Sequence, residues 1–304
     1  MTCKILVVDD DPSIRESMKE FLNISGYDAS LAKNAEDALE YLIHHPVDIV
    51  ITDIMMDGMN GLELTDQIKK QYDIKVIVIT GFSADYSYEE AVNKGASDFI
   101  FKPIRFEELI LRLKRVIKER ELEKERNEML EKLKKMAITD ALTKLYNSRY
   151  FYQQLEIEVG RHNRYKHPIS LMLLDIDHFK QFNDSYGHLE GDKVLMILGK
   201  IIRCCLRKSD TGYRYGGEEF TIILPETNII DAEIVAKRVQ ETLKHETITP
   251  LPGKVHNITV SIGITEYVYG EELSEFIQRA DKAMYQSKAN GRNQISIILN
   301  TDVE

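Results

Sequence analysis

The stretch Arg214-Tyr215-Gly216-Gly217-Glu218-Glu219-Phe220 decides the fold of the second half of this 304-residue chain. It joins two alternating apolar runs, Thr211–Tyr215 and Phe220–Leu224, and this pattern predicts a β-hairpin with a two-glycine turn. Because glycine has no Cβ, the turn leaves its backbone open to a large ligand. A Gly-Gly turn alone is equally typical of a plain hairpin, so the acids beside it carry the functional argument.

A second candidate strand ends in two further acids. Ile169–Leu174 is a continuous apolar run, and Asp175-Ile176-Asp177 follows it directly. If this strand neighbours the hairpin, Asp175 and Glu218 converge at their ends. Clustered carboxylates repel one another unless a cation or a proton intervenes. Because Mg²⁺ prefers hard oxygen ligands with room for phosphate oxygens, the pattern predicts a magnesium site for a phosphorylated substrate.

The hairpin, taken with the run Asp175–Asp184, resembles the GGDEF domain of diguanylate cyclases, which condense two GTP into cyclic di-GMP. The resemblance covers about Asp140–Ile298 and implies Mg²⁺ or Mn²⁺ bound by Asp175, Glu218 and the carbonyl of Ile176. The implied catalytic residues are Glu218, as proton acceptor, and Lys180. The implied substrate contacts are Asn183 and Asp192 for guanine, and Lys180, Lys288 and Arg292 for phosphates.

A regulatory site is implied by the same resemblance. Arg207-Lys208-Ser209-Asp210 lies five residues before Gly216 and matches the family's product-inhibition motif, Arg-x-x-Asp. Arginine can grip phosphate and guanine, while aspartate pairs with guanine N–H groups. Arg238 and Arg161 match arginines that complete this site from elsewhere in the fold.

Composition limits the function classes. The chain is 43% hydrophobic and 30% charged, which is typical of a soluble globular protein, and its length predicts two domains. A formal net charge of −10 argues against general nucleic-acid binding. No apolar run approaches a membrane span, and the acids at 9–11 come too early for a signal peptide. Three cysteines, two of them adjacent, indicate reduced thiols, so we expect a cytoplasmic protein without membrane partners.

The first part alternates short β-runs with amphipathic helices. The predicted strands are Lys4–Val8, Ser30–Ala32, Val47–Thr52, Lys75–Thr80 and Asp98–Phe101. The predicted helices are Pro12–Ser25, Asn34–Ile43, Gly61–Gln71 and Ser87–Gly95. Such alternation predicts a doubly wound, five-stranded parallel sheet, with any site at the carboxyl ends of its strands.

Polar residues occupy those strand ends. Asp9 and Asp10 follow the first strand, Asp53 the third, Thr80 the fourth and Lys102 the fifth. Each acid alone could be an ordinary helix cap. Three acids at one edge, however, require a divalent cation, and a hydroxyl and a lysine beside them suit a phosphoryl group.

This set resembles the receiver domain of two-component response regulators, over about Cys3–Ile117. The resemblance implies that Asp53 accepts a phosphoryl group from a sensor histidine kinase. It implies Mg²⁺ bound by Asp9, Asp10, Asp53 and the carbonyl of Met55. Thr80 and Lys102 would contact the phosphoryl group, Phe99 would be the aromatic switch, and Lys102-Pro103 would be a cis bond.

Phe106–Met136 is charged and lacks proline and glycine, so it predicts one long helix. Its apolar residues follow two registers, Leu109-Leu113-Val116 and Leu122-Met129-Leu133-Met136, and neither makes a good coiled-coil seam. A mediocre coiled coil, a surface helix and two nearly degenerate packings that form a switch all remain open. Because one cyclase domain holds one GTP, we expect this helix to dimerise the chain.

The sequence thus predicts a receiver domain at 1–118, a helical coiled-coil linker at 106–138 and a GGDEF domain with a mixed sheet at 139–304. The predicted function is a phosphorylation-activated diguanylate cyclase that works as a homodimer with product inhibition. One alternative is a non-catalytic effector that binds GTP or cyclic di-GMP, although such proteins usually lack one of the acids. Another is a regulator that acts through its receiver alone.

Overall fold

The computed structural model describes residues 3–81, 92–251 and 254–299. The chain separates into two compact units, Met1–Met129 and Leu130–Glu304. Most of the predicted helix Ser87–Gly95 lies outside the described residues. Across the described part of the chain, no helix is long and apolar enough to cross a membrane.

The first unit contains a five-stranded parallel sheet, as predicted. Its strands are β1 Lys4–Val8, β2 Asp28–Ala32, β3 Ile49–Asp53, β4 Lys75–Thr80 and β5 Asp98–Phe101, in the order β2-β1-β3-β4-β5. Its helices are α1 Pro12–Ile24, α2 Ala35–His44, α3 Gly61–Gln71 and the start of α4, Phe106–Ile138. Two apolar clusters cover the two faces of the sheet, which leaves the strand ends as the place for polar chemistry.

Helix α4 corrects one prediction. Leu109, Leu113 and Val116, proposed above as one coiled-coil seam, are fully buried in the core of the first unit with residues of β1, β3 and β4. The next two positions of that register are also engaged there, because Arg120 pairs with Asp48 and Glu123 with Lys75. The first register therefore belongs to the core of the first unit, so α4 cannot switch between two exposed seams.

The second unit contains a mixed six-stranded sheet in the order β13-β12-β7-β9-β8-β6. Its strands are β6 Tyr146–Asn147, β7 Ile169–Ile176, β8 Thr211–Gly216, β9 Glu219–Pro225, β12 Val260–Glu266 and β13 Ile295–Ile297, and β10 Ile248–Leu251 pairs separately with β11 Lys254–His256. Its helices are α5 Ser148–Tyr165, α6 Phe179–Tyr186, α7 His188–Cys205, α8 Ile229–Lys244 and α9 Leu273–Ala289. Strand β7 is buried along its whole length and lies antiparallel to both β9 and β12.

The hairpin turn differs from the prediction by one residue. Gly216 still pairs with Glu219, and the ladder is irregular between Arg214 and Gly216. The turn is therefore Gly217-Glu218, with Gly217 at φ +49°. The extra residue in β8 moves the turn, and as a result Glu218 lies at its tip while Glu219 begins the return strand.

Candidate active site

Asp175 lies at the centre of the site, near the end of buried β7. Its strand partner on one side is Glu219 and on the other Ser261. Its Oδ2 accepts a hydrogen bond from Lys288 Nζ at 2.7 Å. The side chain of Lys288 reaches this position because α9 buries Phe276, Ala280 and Ala283 on its inner face and ends beside the sheet.

Three acidic side chains influence the pKa values at this end of the sheet. Burial raises the pKa of Asp175, against the hydrogen bond and the charge of Lys288. Burial and then the charge of Asp175 raise the pKa of Glu218, and the same two causes raise the pKa of Glu219. The charge of Asp175 thus opposes the ionisation of both glutamates, and carboxylates at one end of a sheet supply the hard oxygen ligands that a divalent cation prefers.

Two residues separate the end of β7 from the start of helix α6. His178 precedes it in the left-handed region at φ +58°, and no side chain caps the helix. Uncapped N–H groups at a helix start, together with the helix dipole, favour an anionic group such as phosphate. Lys180, in this first turn, is exposed.

Asn183 and Asp192 lie on adjacent helices, α6 and α7. Asn183 Oδ1 is buried without a hydrogen-bond partner in the described part of the chain. It lies over Gly191, the residue that precedes Asp192. The two predicted guanine contacts are therefore neighbours, and Asp192 is half-buried, so its carboxylate remains within reach of a ligand.

The second predicted site lies at the strand ends of the first unit. Ligand atoms of Asp9, Asp10 and Asp53 all lie within 4.8 Å of one another. Lys102 Nζ donates to Asp53 Oδ2 at 2.6 Å, while Asp53 Oδ1 and Asp9 Oδ2 are buried without hydrogen-bond partners among the described residues. Burial and the charge of Asp53 raise the pKa of Asp9, despite its hydrogen bond from the Asp11 N–H. Unpartnered carboxylate oxygens facing one point fit a divalent cation.

The other predicted residues surround this cluster. Thr80, at the end of β4, is half-buried, and Met55 is 57% exposed just after β3. Phe99 of β5 lies against Phe101 and under the guanidinium of Arg112 in α4. The peptide bond Lys102-Pro103 is cis, as predicted.

Comparison with protein families identifies a domain in each half of the chain. Residues 137–294 match the model of the diguanylate cyclase GGDEF domain, and residues 5–114 match that of the response regulator receiver domain. The chain belongs to the GGDEF domain family. It combines this domain with a receiver domain.

Two curated relatives illustrate the similarity. The response regulator PleD of Caulobacter vibrioides is 30% identical over 96% of this chain, and diguanylate cyclase A of Treponema denticola is 40% identical over 55%. The chain spans 65% and 46% of the lengths of these two proteins. Among solved structures, the coiled coil and GGDEF domain of DgcB from Caulobacter crescentus, in complex with c-di-GMP, has a TM-score of 0.57 at 31% identity, covering 62% of this chain and 99% of that one. The GGDEF fold of the second unit is thereby shown.

In the second unit, two cavities lie around the predicted inhibition motif. Arg207 Nε donates to Asp210 Oδ1 at 2.8 Å, and its Nη2 donates to the Pro225 carbonyl and to Thr227. A cavity of about 880 Å³ includes Arg207 and Asp210 in its lining, and one of about 490 Å³ includes Ser209 and Arg161. Arg238 does not line either cavity in the described structure. It donates instead to the carbonyl of Cys205, at the end of α7.

Sequence reasoning missed two features of the GGDEF domain. Glu219 lies directly opposite Asp175, but only the strand register, not the sequence, could show this. Arg214 bonds both the carbonyl of Gly217 and the carboxylate of Asp140, and so connects the hairpin turn to the segment after α4. Asp140 begins the range that the family resemblance covers and Arg214 begins the hairpin motif, but nothing in their spacing indicates that they meet.

Proposed function

We propose that this chain is a diguanylate cyclase whose receiver domain controls it by phosphorylation. The observation that carries the proposal is the group formed by Asp175, Glu218, Glu219 and Lys288, which lies beside an uncapped helix start and the adjacent pair Asn183 and Asp192. The carboxylates suit a cation, the helix start suits phosphate, and the Asn183–Asp192 pair suits a purine edge. Together these features describe a nucleoside triphosphate site.

Each group has a task in binding GTP. Asp192 accepts hydrogen bonds from the guanine N–H groups, and Asn183 bonds the purine edge. Adenine lacks the matching donors, so this pair would reject ATP. The α6 amide groups, Lys180, Lys288 and Arg292 neutralise the phosphates. Asp175, Glu218 and the carbonyl of Ile176 would hold Mg²⁺ or Mn²⁺, which lowers the pKa of a hydroxyl and stabilises charge on phosphate oxygens.

The reaction is an in-line displacement at the α-phosphorus. The 3′-hydroxyl oxygen of one GTP forms a bond to the α-phosphorus of a second GTP, the bond to the bridging oxygen breaks, and pyrophosphate leaves. Glu218 is the candidate acceptor of the hydroxyl proton, and Lys180 stabilises the phosphoryl oxygens as their charge grows. Two such steps close cyclic di-GMP. Since one site holds one GTP, two copies of the chain face each other, and the exposed residues of α4 are the proposed dimer contact.

Purified protein incubated with GTP and Mg²⁺ tests this proposal directly. Wild type should release cyclic di-GMP and two pyrophosphates, and Asp175→Ala or Glu218→Ala should reduce turnover by at least about a thousandfold. The variants should still accept a phosphoryl group on Asp53. Tight GTP binding by wild type without product would instead identify a non-catalytic effector.

Product inhibition is proposed for the Arg207–Asp210 motif, with Arg161 from α5. Arg207→Ala should lose high-affinity cyclic di-GMP binding but keep turnover, because the motif lies apart from Asp175 and its neighbours. Arg161→Ala should weaken binding less, since its guanidinium is exposed and already pairs with Glu158. Calorimetric titrations that cannot distinguish Arg207→Ala from wild type would place the inhibitory site elsewhere.

A further inference from the structure

Asp177 is a buried acid without a role in the scheme above. It follows β7, two residues after Asp175, and only 6% of it is exposed. Its Oδ1 accepts a hydrogen bond from the Ser261 hydroxyl at 2.6 Å. Its Oδ2 accepts from the Thr259 hydroxyl at 2.7 Å and from the backbone N–H of Asn293 at 3.0 Å. Three donors thus occupy the carboxylate.

These bonds join three segments that are far apart in sequence. Thr259 precedes β12, Ser261 is its second residue, and Asn293 belongs to the turn after α9. The backbone N–H of Asp177 also donates to the Thr259 carbonyl at 2.9 Å. Because the oxygens face hydroxyl and amide donors, the side chain is engaged as a structural acceptor, in contrast to the crowded carboxyls of Asp175 and Glu218.

The turn that Asp177 contacts has an unfavourable backbone conformation, which other contacts must stabilise. Gly291, Arg292 and Asn293 have φ values of +115°, +65° and +46°. Left-handed backbone at a residue with a Cβ costs about 1 kcal/mol, so consecutive residues keep it only when other contacts hold them. The Asn293 N–H bond to Asp177 and the Arg292 N–H bond to the Ser287 carbonyl are two such contacts.

This turn carries Arg292 to the active site. Lys288, four residues before Arg292, pairs with Asp175 at 2.7 Å, and Asn293, one residue after it, donates its N–H to Asp177, so the turn lies beside the end of β7. We infer that Asp177 is a positioning residue, which holds the 291–293 turn so that Arg292 faces the phosphates of the nucleotide. This inference rests on the proposed function, since it takes the nucleotide to be GTP.

The test is Asp177→Asn. The amide has the shape of the carboxylate but a single acceptor oxygen, so at least one of the three donors must face its NH₂ group. We expect the KM for GTP to rise about tenfold, as for loss of a charge-assisted hydrogen bond, with kcat changed by less than about twofold. Affinity for guanosine should be unchanged, because Asn183 and Asp192 are untouched. Asp184→Asn, on exposed α6 surface, is the matched control and should behave as wild type.

A double variant separates positioning from other roles. If Asp177 acts through Arg292, Asp177→Asn/Arg292→Ala should have a KM within about twofold of Arg292→Ala alone. If the rise in KM of the double variant instead equals the product of the rises in the two single variants, the inference is overturned. A fall in kcat with a higher Mg²⁺ requirement would overturn it as well, since it would make Asp177 a metal ligand.

Two further measurements keep the inference testable. If Asp177→Asn folds poorly, Thr259→Val removes one of the donors that orient the carboxylate and should raise the KM about threefold. If wild type does not turn GTP over, the proposed function fails, and calorimetry with a non-hydrolysable GTP analogue still reports on Asp177. Equal affinity of wild type and Asp177→Asn for that analogue would refute the positioning role.

Discussion

At the scale of single residues, Gly191 shows how close packing supports guanine recognition. A Cβ there would lie 1.8 Å from Asn183 Oδ1 and 3.1 Å from Phe179. Any side chain at 191 must therefore push the Asn183 amide away from α7. Asn183 is in turn the predicted partner of the purine edge, so glycine at 191 is needed for specificity rather than for a turn.

We predict that Gly191→Ala raises the KM for GTP about tenfold or more and weakens discrimination against ATP. In an Asn183→Ala background, where the obstructing oxygen is gone, Gly191→Ala should have less than about a twofold further effect. The control is Gly160→Ala in α5, where a Cβ meets nothing within 4 Å and alanine should stabilise the helix by about 0.5–1 kcal/mol. An unchanged nucleotide preference in Gly191→Ala would contradict this prediction.

Glu218 gives a prediction about pH. Burial and the charge of Asp175 raise its pKa, so the folded state binds this proton more tightly than the unfolded state does. The ionised carboxylate therefore lowers stability at a pH above the folded pKa, and this effect vanishes below the unfolded value of about 4.3. In metal-free buffer at pH 8, Glu218→Gln should be more stable than wild type by about 1 kcal/mol or less. Calorimetric melting should show this gain shrinking toward pH 4, and a gain independent of pH would rule out this cause.

At the scale of elements, a buried and ion-paired arginine joins α9 to the sheet. Arg279 is 5% exposed, pairs with Glu271, and donates to Thr265 at 2.7 Å and to the Glu266 carbonyl at 2.9 Å. Removing one partner of a buried pair leaves an uncompensated charge. Because α9 also positions Lys288 against Asp175, the pair supports the site from a distance.

Arg279→Met should therefore lower the free energy of unfolding by about 3–5 kcal/mol, as measured by urea denaturation. Lys282→Met, at an exposed position of the same helix, should change it by less than about 0.5 kcal/mol. Replacing both Arg279 and Glu271 by apolar residues should recover part of the loss. Equal midpoints for the two single variants would show that the pair does not stabilise α9.

At the scale of the whole molecule, α4 is the proposed dimer contact. Leu122, Met129, Leu133 and Met136 follow a heptad spacing and are each more than half exposed. With Leu109, Leu113 and Val116 buried in the receiver core, these four are the apolar seam that remains. Phosphorylation of Asp53 would then act on a single seam, by strengthening or re-orienting the pairing of receivers.

We predict that Met129→Asp raises the dimer dissociation constant about tenfold or more and reduces cyclic di-GMP synthesis in parallel, since it buries a charge in the seam. Asn127→Asp adds the same charge two residues away, off the seam, and should leave the dissociation constant and the synthesis of cyclic di-GMP unchanged. Sedimentation analysis at several concentrations, alongside turnover, measures this. Equal dissociation of the two variants would place the dimer contact outside α4.

Control by the receiver is the last expectation at this scale. Acetyl phosphate or beryllofluoride should increase cyclic di-GMP synthesis by wild type, and Asp53→Ala should not respond, because the Asp9–Asp10–Asp53 group would lose its acceptor carboxylate. Cysteine at Met129 should form a disulfide between two chains, and its rate should change with beryllofluoride. An unchanged rate of synthesis despite labelled Asp53 would leave the receiver without this role.

The sequence by itself determined the secondary-structure elements and the kinds of side-chain chemistry, because both depend on the order of neighbouring residues. A continuous apolar run predicted β7, alternating apolar residues predicted the hairpin, and acids at strand ends predicted the places for cations. Only the tertiary structure decided which side chains meet, since this depends on contacts between residues that are distant in sequence. Glu219 faces Asp175 through strand register, Asp177 binds an amide 116 residues away, and Gly191 makes room for an amide on another helix. The sequence placed the apolar residues at 109–116 in a coiled-coil register, and only the packing of α4 on the sheet assigned them to the core.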